Sequence, residues 1–182
     1  MGGGALLSHS LLLGERLYLF ARLRFLVATG IVVGSLFATY VVGVQGLDLR
    51  ALAGTAAFLG LYNTLVFLLI RPNRSPARAV AAYRSMIRTA SATILIDYTV
   101  LTFTLWLVGG AHSPFLAFYV LHAIFASVML SRRAAIAHTG VGYLMLSALV
   151  LGEWAGWWPR QIPVGGVFGG VEEDFRVVWT LL

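Results

Sequence analysis

Three polar side chains stand inside apolar stretches of the sequence: Asn63, Asp97 and His122. Polar groups are costly inside a membrane, so those that occur there mark candidate sites. Each lies eight to ten residues from the nearest arginine at the end of its stretch, which puts all three in one layer near the membrane midplane. We expect this intramembrane polar cluster to be a hydrogen-bonded group or a proton-linked site. Taken singly, each is also explained as a structural contact: an amide between helices, a protonated carboxyl or a packed histidine.

An aromatic face accompanies the histidine. Phe115, Phe118, Tyr119, His122 and Phe125 follow the spacing i, i+3, i+4, i+7 and i+10, which places them on one side of a helix. Packing explains most faces of this kind, and a flat hydrophobic ligand would use the same surface.

The segment that leads into this face predicts a tight helical hairpin. The pair Gly109-Gly110 suits the left-handed end of one helix, and Ser113 and Pro114 suit the cap and first residue of the next. Free backbone amides at the start of that helix would attract an anion or a carbonyl oxygen, with His112 beside them. A well-made turn alone is the competing interpretation. The predicted ligand-binding set is His112, Ser113, Pro114, Phe115, Phe118, Tyr119 and His122.

Familiar catalytic patterns are missing from the sequence. There is no cysteine, and the four histidines lie in separate segments with no two at a spacing of four residues. Thiolate chemistry is therefore excluded, and neither a preformed metal pair nor a haem site is indicated. We find no Ser-His-Asp arrangement and no paired acidic motif of the lipid phosphotransferase kind. We expect a non-enzymatic protein without a metal.

The composition explains why the polar residues are so informative. Of 182 residues, 59% are hydrophobic and 11% are charged, and the mean hydropathy is +0.87. Soluble domains average about 25% charged residues, and a chain of this size cannot bury so much apolar surface in an aqueous core. Both a soluble enzyme and a disordered chain are excluded. The sequence is that of an integral membrane protein.

Stretches of about 20 apolar residues predict an all-α transmembrane helical bundle. The five predicted spans cover residues 25–44, 51–70, 89–108, 115–131 and 134–151, and a sixth apolar stretch covers 175–182. We expect 1–24 to be a cytoplasmic segment forming an interfacial helix, with Leu12, Leu13, Leu17 and Phe20 facing the lipid. Residues 25–182 form the bundle. The sixth stretch is either a stub or the start of a span in a longer protein.

The arginines set the expected orientation. Ten of the 13 precede the first span (Arg16, Arg22, Arg24), join the second to the third (Arg71, Arg74, Arg78, Arg84, Arg88) or join the fourth to the fifth (Arg132, Arg133). The opposite side carries Arg50, Arg160 and Arg176 together with Asp48, Glu153, Glu172, Glu173 and Asp174. The positive-inside rule makes the amino terminus cytoplasmic. The basic connection is expected to lie on anionic lipid and not on nucleic acid.

Small residues mark one face of each of the first two spans. Gly30 and Gly34 lie on span 1, and Gly60 lies on span 2. Such residues let membrane helices approach closely. We expect helix packing within the bundle at these three positions, with a homodimer seam as the alternative.

Together these motifs resemble the six-span membrane sensor of bacterial histidine kinases, especially the RegB-like redox sensors. The resemblance is carried by Asp97 to Thr102, Gly109-Gly110, Pro114-Phe115, Phe118-Tyr119 and His122, with weaker support from Leu61-Tyr62-Asn63. In that family the hairpin motif has an asparagine where this chain has Ser113. The resemblance implies quinone as the ligand, a bacterial inner membrane and an attached kinase. This chain contains no phosphoacceptor box or ATP lid.

The leading hypothesis is therefore a membrane-embedded sensory input domain of a two-component signalling protein. It would bind a small apolar or redox-active, quinone-like ligand at the hairpin between spans 3 and 4. The alternative is a non-catalytic structural or assembly subunit of a larger membrane complex. A transporter subunit is disfavoured, because the polar residues form a single layer and not a path across the membrane.

Overall fold

The computed structural model describes residues 3–69 and 79–157, and every regular element within them is helical. The predicted all-α class is confirmed for this part of the chain. The helices are α1 (Gly3–Phe37), α2 (Leu49–Leu69), α3 (Ala79–Leu107), α4 (Phe118–Met129) and α5 (Arg132–Trp154). Two short 3₁₀ turns, Gly110–His112 and Pro114–Ala117, join α3 to α4.

Four stretches are long and apolar enough to cross a membrane: Gly14–Val42, Leu49–Leu68, Arg84–Leu107 and Arg132–Trp154. The fourth predicted span is shorter than expected, because its apolar helical stretch covers only Phe115–Met129 and rises about 22 Å. A hydrocarbon core is about 30 Å thick. Of the five complete spans that we expect, four are therefore long enough to cross a membrane.

The first helix also differs from expectation. We predicted an interfacial helix that ends before residue 25, but α1 runs unbroken from Gly3 to Phe37. Leu17 is fully buried against α3, and Phe20 packs on Phe125 of α4 with ring centroids 4.6 Å apart. The two side chains therefore face the bundle and not the lipid. Apolar surface on neighbouring helices competes successfully with the bilayer for this face.

Local sequence explains where α1 ends and α2 begins. A π-helical turn, Ala38–Val42, follows α1 and stops at Gly43, whose φ of +77° is left-handed. The side chain of Asp48 then caps α2, because its Oδ1 accepts hydrogen bonds from the backbone N–H groups of Arg50 (3.1 Å) and Ala51 (3.0 Å).

Successive helices run antiparallel, and α3 lies at the centre of the bundle. It packs against α1, α2, α4 and α5. One core cluster includes Ala90, Ile94 and Tyr98 of α3, and a second joins α1 to α2 through Ala28 and Leu59. Any displacement of α3 is therefore felt by every other helix described.

The outer surface of the bundle is apolar. Leu26, Leu61 and Leu144 expose 70%, 75% and 67% of their surface. Water would penalise such a surface, whereas lipid chains solvate it. The exposed leucines agree with a bundle that is surrounded by membrane.

The glycines assigned to helix packing make no close contact with the other described helices. A Cβ atom added at Gly30, Gly34 or Gly60 would meet no atom within 4 Å. The predicted close approach of helices is therefore not seen among the described residues at these positions: Gly30 and Gly34 lie on an exposed face of α1, and Gly60 is half-buried on α2. A close approach does occur at Gly142, where a Cβ would lie 2.4 Å from the Tyr98 ring.

Some sequence predictions concern residues outside the described ranges. These are the apolar stretch 175–182 and the basic connection through residues 71–78. The side chains of Leu12 and Leu13 are likewise not described, although their backbone belongs to α1.

The antiparallel order predicts opposite exposure of two positions. His112 lies on the α3–α4 connection and Arg133 at the start of α5, and both are exposed. Because the chain lacks cysteine, His112→Cys and Arg133→Cys each provide a single labelling site. We expect a membrane-impermeant maleimide to label the two variants from opposite faces of sealed vesicles. Labelling of both from the same face would contradict the arrangement of α4.

Candidate functional site

A buried ion pair joins α1 to α3 at the centre of the bundle. The Nε of Arg24 donates to both carboxylate oxygens of Asp97 at 2.9 Å, and Nη2 donates to Oδ2 at 2.6 Å. The two side chains are 9% and 11% exposed. It is the one ion pair within the described ranges.

Burial makes this pair obligatory. A lone charge in the hydrocarbon core is costly, and removing one partner of a buried pair leaves the other uncompensated. The three hydrogen bonds satisfy the carboxylate and one edge of the guanidinium, which allows two charged side chains to remain inside the bundle. The pair thus fixes the register of α1 against α3.

Two residues of α2 complete the surroundings of the pair. The centre of the Tyr62 ring lies 5.7 Å from Cζ of Arg24, and its hydroxyl donates to the Thr93 carbonyl at 3.3 Å. The Nδ2 of Asn63 donates to the Ala21 carbonyl at 2.5 Å. Polar atoms of α1, α2 and α3 therefore meet in one layer, which we call the polar junction: Arg24, Tyr62, Asn63 and Asp97.

The three residues expected to form one cluster have separate partners. Asp97 binds Arg24, Asn63 binds the Ala21 carbonyl, and the Nδ1 of His122 donates to the Phe118 carbonyl at 2.8 Å. Equal depth in the membrane correctly predicted that Asn63 and Asp97 lie in the same polar junction. His122 does not join them, because the direction in which a side chain points around its helix also matters, and neighbouring helical residues point about 100° apart.

His122 consequently packs against the other side of α3. Its ring lies 5.5 Å from the ring of Tyr98 and 5.9 Å from that of Phe125. Tyr98 follows Asp97 directly in the chain, so α3 presents its carboxylate to α1 and its phenol ring to α4.

Arg24 is the residue that the sequence interpretation misplaced. The sequence places it among the arginines in front of span 1, but its side chain is 9% exposed and pairs with Asp97 inside the bundle. Two signals in the sequence pointed there: the apolar residues Leu17, Phe20 and Ala21 before it, and a mid-span carboxylate that needs a cation.

The α3–α4 hairpin forms as its sequence predicts. Gly109 and Gly110 have φ values of +113° and +57°, and the Oγ of Ser113 accepts a hydrogen bond from the Phe115 N–H at 3.3 Å. Pro114 begins the following 3₁₀ turn. The cap and the left-handed glycines are confirmed, although a 3₁₀ turn precedes α4.

A buried carboxylate supports this hairpin from α5. Oε2 of Glu153 accepts a hydrogen bond from the Ala111 N–H at 2.9 Å, and the residue is only 5% exposed. A Cβ at Gly110 would collide with the Glu153 carboxylate at 1.6 Å. The predicted fifth span ends at residue 151, which places Glu153 among the acidic residues of the following loop. The longer α5 carries it into the protein.

The predicted ligand-binding face divides between two directions. Tyr119 is buried, stacks on Tyr98 at 5.7 Å and shares a short hydrogen bond with the Thr102 hydroxyl. Phe115 and Phe118 stack on each other at 5.9 Å and are 51% and 42% exposed. One half of the face therefore packs on α3, and the other half faces outward.

A groove lies on the other side of the Thr102 hydroxyl. It is open to the surface of the bundle and has a volume of about 460 Å³ between α3 and α5. The lining is almost entirely apolar: Thr99, Thr102, Phe103, Trp106, Met145, Ala148 and Leu149. Thr102 connects this groove to Tyr119 of the predicted ligand-binding set.

A histidine that the sequence interpretation left without a role also joins two helices. His138 of α5 is buried, and its Nδ1 donates to the Ala134 carbonyl at 2.8 Å. Its Nε2 then accepts from the Ser91 hydroxyl of α3 at 2.8 Å. This contact joins α5 to α3 on the amino-terminal side of the groove residues in both helices. Within residues 3–69 and 79–157, no three His, Asp or Glu side chains are grouped to hold a metal ion.

Comparisons with family models, with curated proteins and with solved structures give no match. The function proposed below is therefore argued from the residues of this chain and their geometry.

The contact between Gly110 and Glu153 gives a paired prediction. Gly110→Ala should destabilise the protein, because the methyl group expels the Glu153 carboxylate and the left-handed backbone is strained. The thermal unfolding temperature in detergent should fall by several degrees. Glu153→Gln keeps a hydrogen-bond acceptor at the same place, so it should lower the unfolding temperature less.

The double variant Gly110→Ala/Glu153→Ala separates these causes. It should unfold at a higher temperature than Gly110→Ala alone, because the added methyl group has room once the carboxylate is gone. If the two substitutions instead lower the temperature additively, the residues do not interact and this description of the hairpin is wrong.

Proposed function

We propose that this chain is a membrane-embedded sensory input domain that binds a flat, apolar or redox-active ligand of the quinone type. The observation that carries the proposal is the apolar groove between α3 and α5, so the proposed site differs from the α3–α4 hairpin that the sequence predicts, and Phe118 lies outside it. The volume of the groove suits a single ring system with part of an alkyl tail. The groove lies along a helix proposed to span the membrane, so it is within reach of apolar molecules dissolved in the lipid.

The polar groups at the groove can orient a ligand. The hydroxyls of Thr99 and Thr102 donate to carbonyls one turn back, at 3.0 and 2.6 Å. The Thr102 oxygen also accepts from the Tyr119 hydroxyl, so it keeps one lone pair, whereas the Thr99 oxygen keeps both. Such oxygens accept a hydrogen bond from a ligand hydroxyl. The aromatic residues Phe103 and Trp106 provide flat apolar surface for stacking.

The groove is also well placed for signalling. Thr99 lies two residues beyond Asp97 on α3, so a ligand between α3 and α5 acts directly on the helix that carries the ion pair. A ligand with different affinities for two positions of α3 shifts the population between them. The resemblance to RegB-like sensors supports the same role, with a kinase as the output in a longer protein.

The orientation belongs to this proposal. Arg24 is neutralised by Asp97 and no longer counts toward orientation, which leaves nine of the 13 arginines assigned to the amino-terminal side. The positive-inside rule then favours a cytoplasmic amino terminus in a bacterial inner membrane.

One observation favours the second candidate, an assembly subunit. Only 6% of the most apolar window of α1 is buried inside the protein, against 39% for α2 and for α3. A helix that contributes so little to its own bundle has surface available for another chain. A homodimer or a larger membrane complex would cover it.

Ligand titration tests the proposal with two matched phenylalanines. Phe103 lines the groove and Phe118 does not, yet they are similarly exposed, at 46% and 42%. We expect quenching of tryptophan fluorescence when a short-chain quinone is added to protein in nanodiscs, with Trp106 as the groove reporter. Phe103→Ala should weaken binding by about tenfold, equivalent to about 1.4 kcal/mol, and Phe118→Ala should leave it unchanged.

Equal binding by all three proteins would remove the groove as the site. The absence of saturable binding in any of them would contradict the sensory function. Co-purification with a stoichiometric partner would then support the assembly subunit.

A further inference from the structure

Two buried polar atoms at the polar junction have no hydrogen-bond partner among the described residues. They are Nη1 of Arg24 and Oδ1 of Asn63. Asn63 is fully buried, and the Arg24 side chain is 9% exposed. Leaving a buried charged donor and a buried amide oxygen unpaired costs more than a typical hydrogen bond contributes. Both atoms therefore need a partner.

The contacts of each side chain place Arg24 and Asn63 in the same layer of the bundle. Asn63 is held by the carbonyl of Ala21, which is three residues before Arg24 on α1. Three helical residues rise about 4.5 Å. Tyr62, the neighbour of Asn63, lies against the guanidinium of Arg24. A small group that lies between the two side chains in this layer would hydrogen-bond to both.

Charge and hydrogen-bond type limit what the bridging group can be. Nη1 requires an acceptor, whereas Oδ1 requires a donor, so the group must be both. An anion would satisfy Nη1 but repel Oδ1, and a cation would do the reverse. Since Arg24 and Asp97 already neutralise each other, either ion would also leave a net charge inside the membrane.

We propose that an internal water molecule occupies the polar junction. It accepts a hydrogen bond from Nη1 of Arg24 and donates one to Oδ1 of Asn63. Buried water commonly satisfies polar groups in this way. The water extends the ion pair between α1 and α3 to α2, so that three helices share one hydrogen-bonded network. This site is separate from the ligand groove and does not depend on it.

Radiolytic footprinting tests the proposal in the intact membrane-embedded protein. X-ray irradiation of bound water generates hydroxyl radicals that modify adjacent side chains even where bulk solvent is excluded. Tyr62 lies against Arg24, and Tyr98 is a buried tyrosine on the next helix that faces α4. We expect mass spectrometry to find Tyr62 modified several-fold faster than Tyr98.

Two variants of α2 give the matched comparison. Asn63→Leu removes the acceptor and should reduce modification of Tyr62 to the level of Tyr98. Thr64→Leu changes the next, exposed residue, whose hydroxyl bonds only within α2, and should leave Tyr62 modification as it is in the unaltered protein.

The proposal is overturned if Tyr62 and Tyr98 of the unaltered protein are modified equally slowly, or if Asn63→Leu leaves the Tyr62 rate unchanged. A second measurement is independent of variants that fail to fold. A high-resolution experimental map of the unaltered protein should show solvent density within hydrogen-bond distance of both atoms. A map with side chains ordered and no such density would also overturn it.

Discussion

A guanidinium and a carboxylate cannot remain apart inside a bilayer, and this constraint organises the bundle. Arg24 and Asp97 lie on helices separated by the whole of α2 in sequence, yet they are joined by three hydrogen bonds. Apolar packing between membrane helices has little directional preference, because lipid tails are as apolar as leucine. The ion pair therefore supplies the specificity that fixes α1 against α3, whatever its net contribution to stability.

The remaining helices are arranged around α3. The face next to the ion pair contacts α2 through Thr93, and another face contacts α4 through Tyr98. Ser91 joins α3 to α5 through His138. At the other end, Glu153 of α5 supports the hairpin that leaves α3. A ligand in the groove between α3 and α5 would act between these polar contacts, which is why the groove and the ion pair can be coupled.

Local sequence signals predicted local structure well. The apolar stretches gave the helices, and the glycines and Ser113 gave the hairpin, because each depends on neighbours in the chain. Partners on distant helices were harder to predict. Arg24 resembled a loop arginine, Glu153 fell just past a predicted boundary, and His122 shared the depth of Asp97 but faced another way. Depth follows from counting residues, whereas the facing direction depends on how helices pack.

The most direct test of the central claim is a double-mutant cycle on the ion pair, using Arg24→Met and Asp97→Leu and measuring the free energy of unfolding in detergent micelles. Each single variant leaves a buried charge and should lose about 3–5 kcal/mol. The double variant should lose much less than the sum, which reveals a strong coupling between the two side chains. Additive losses, or single variants as stable as the unaltered protein, would contradict the claim that this pair holds α1 to α3.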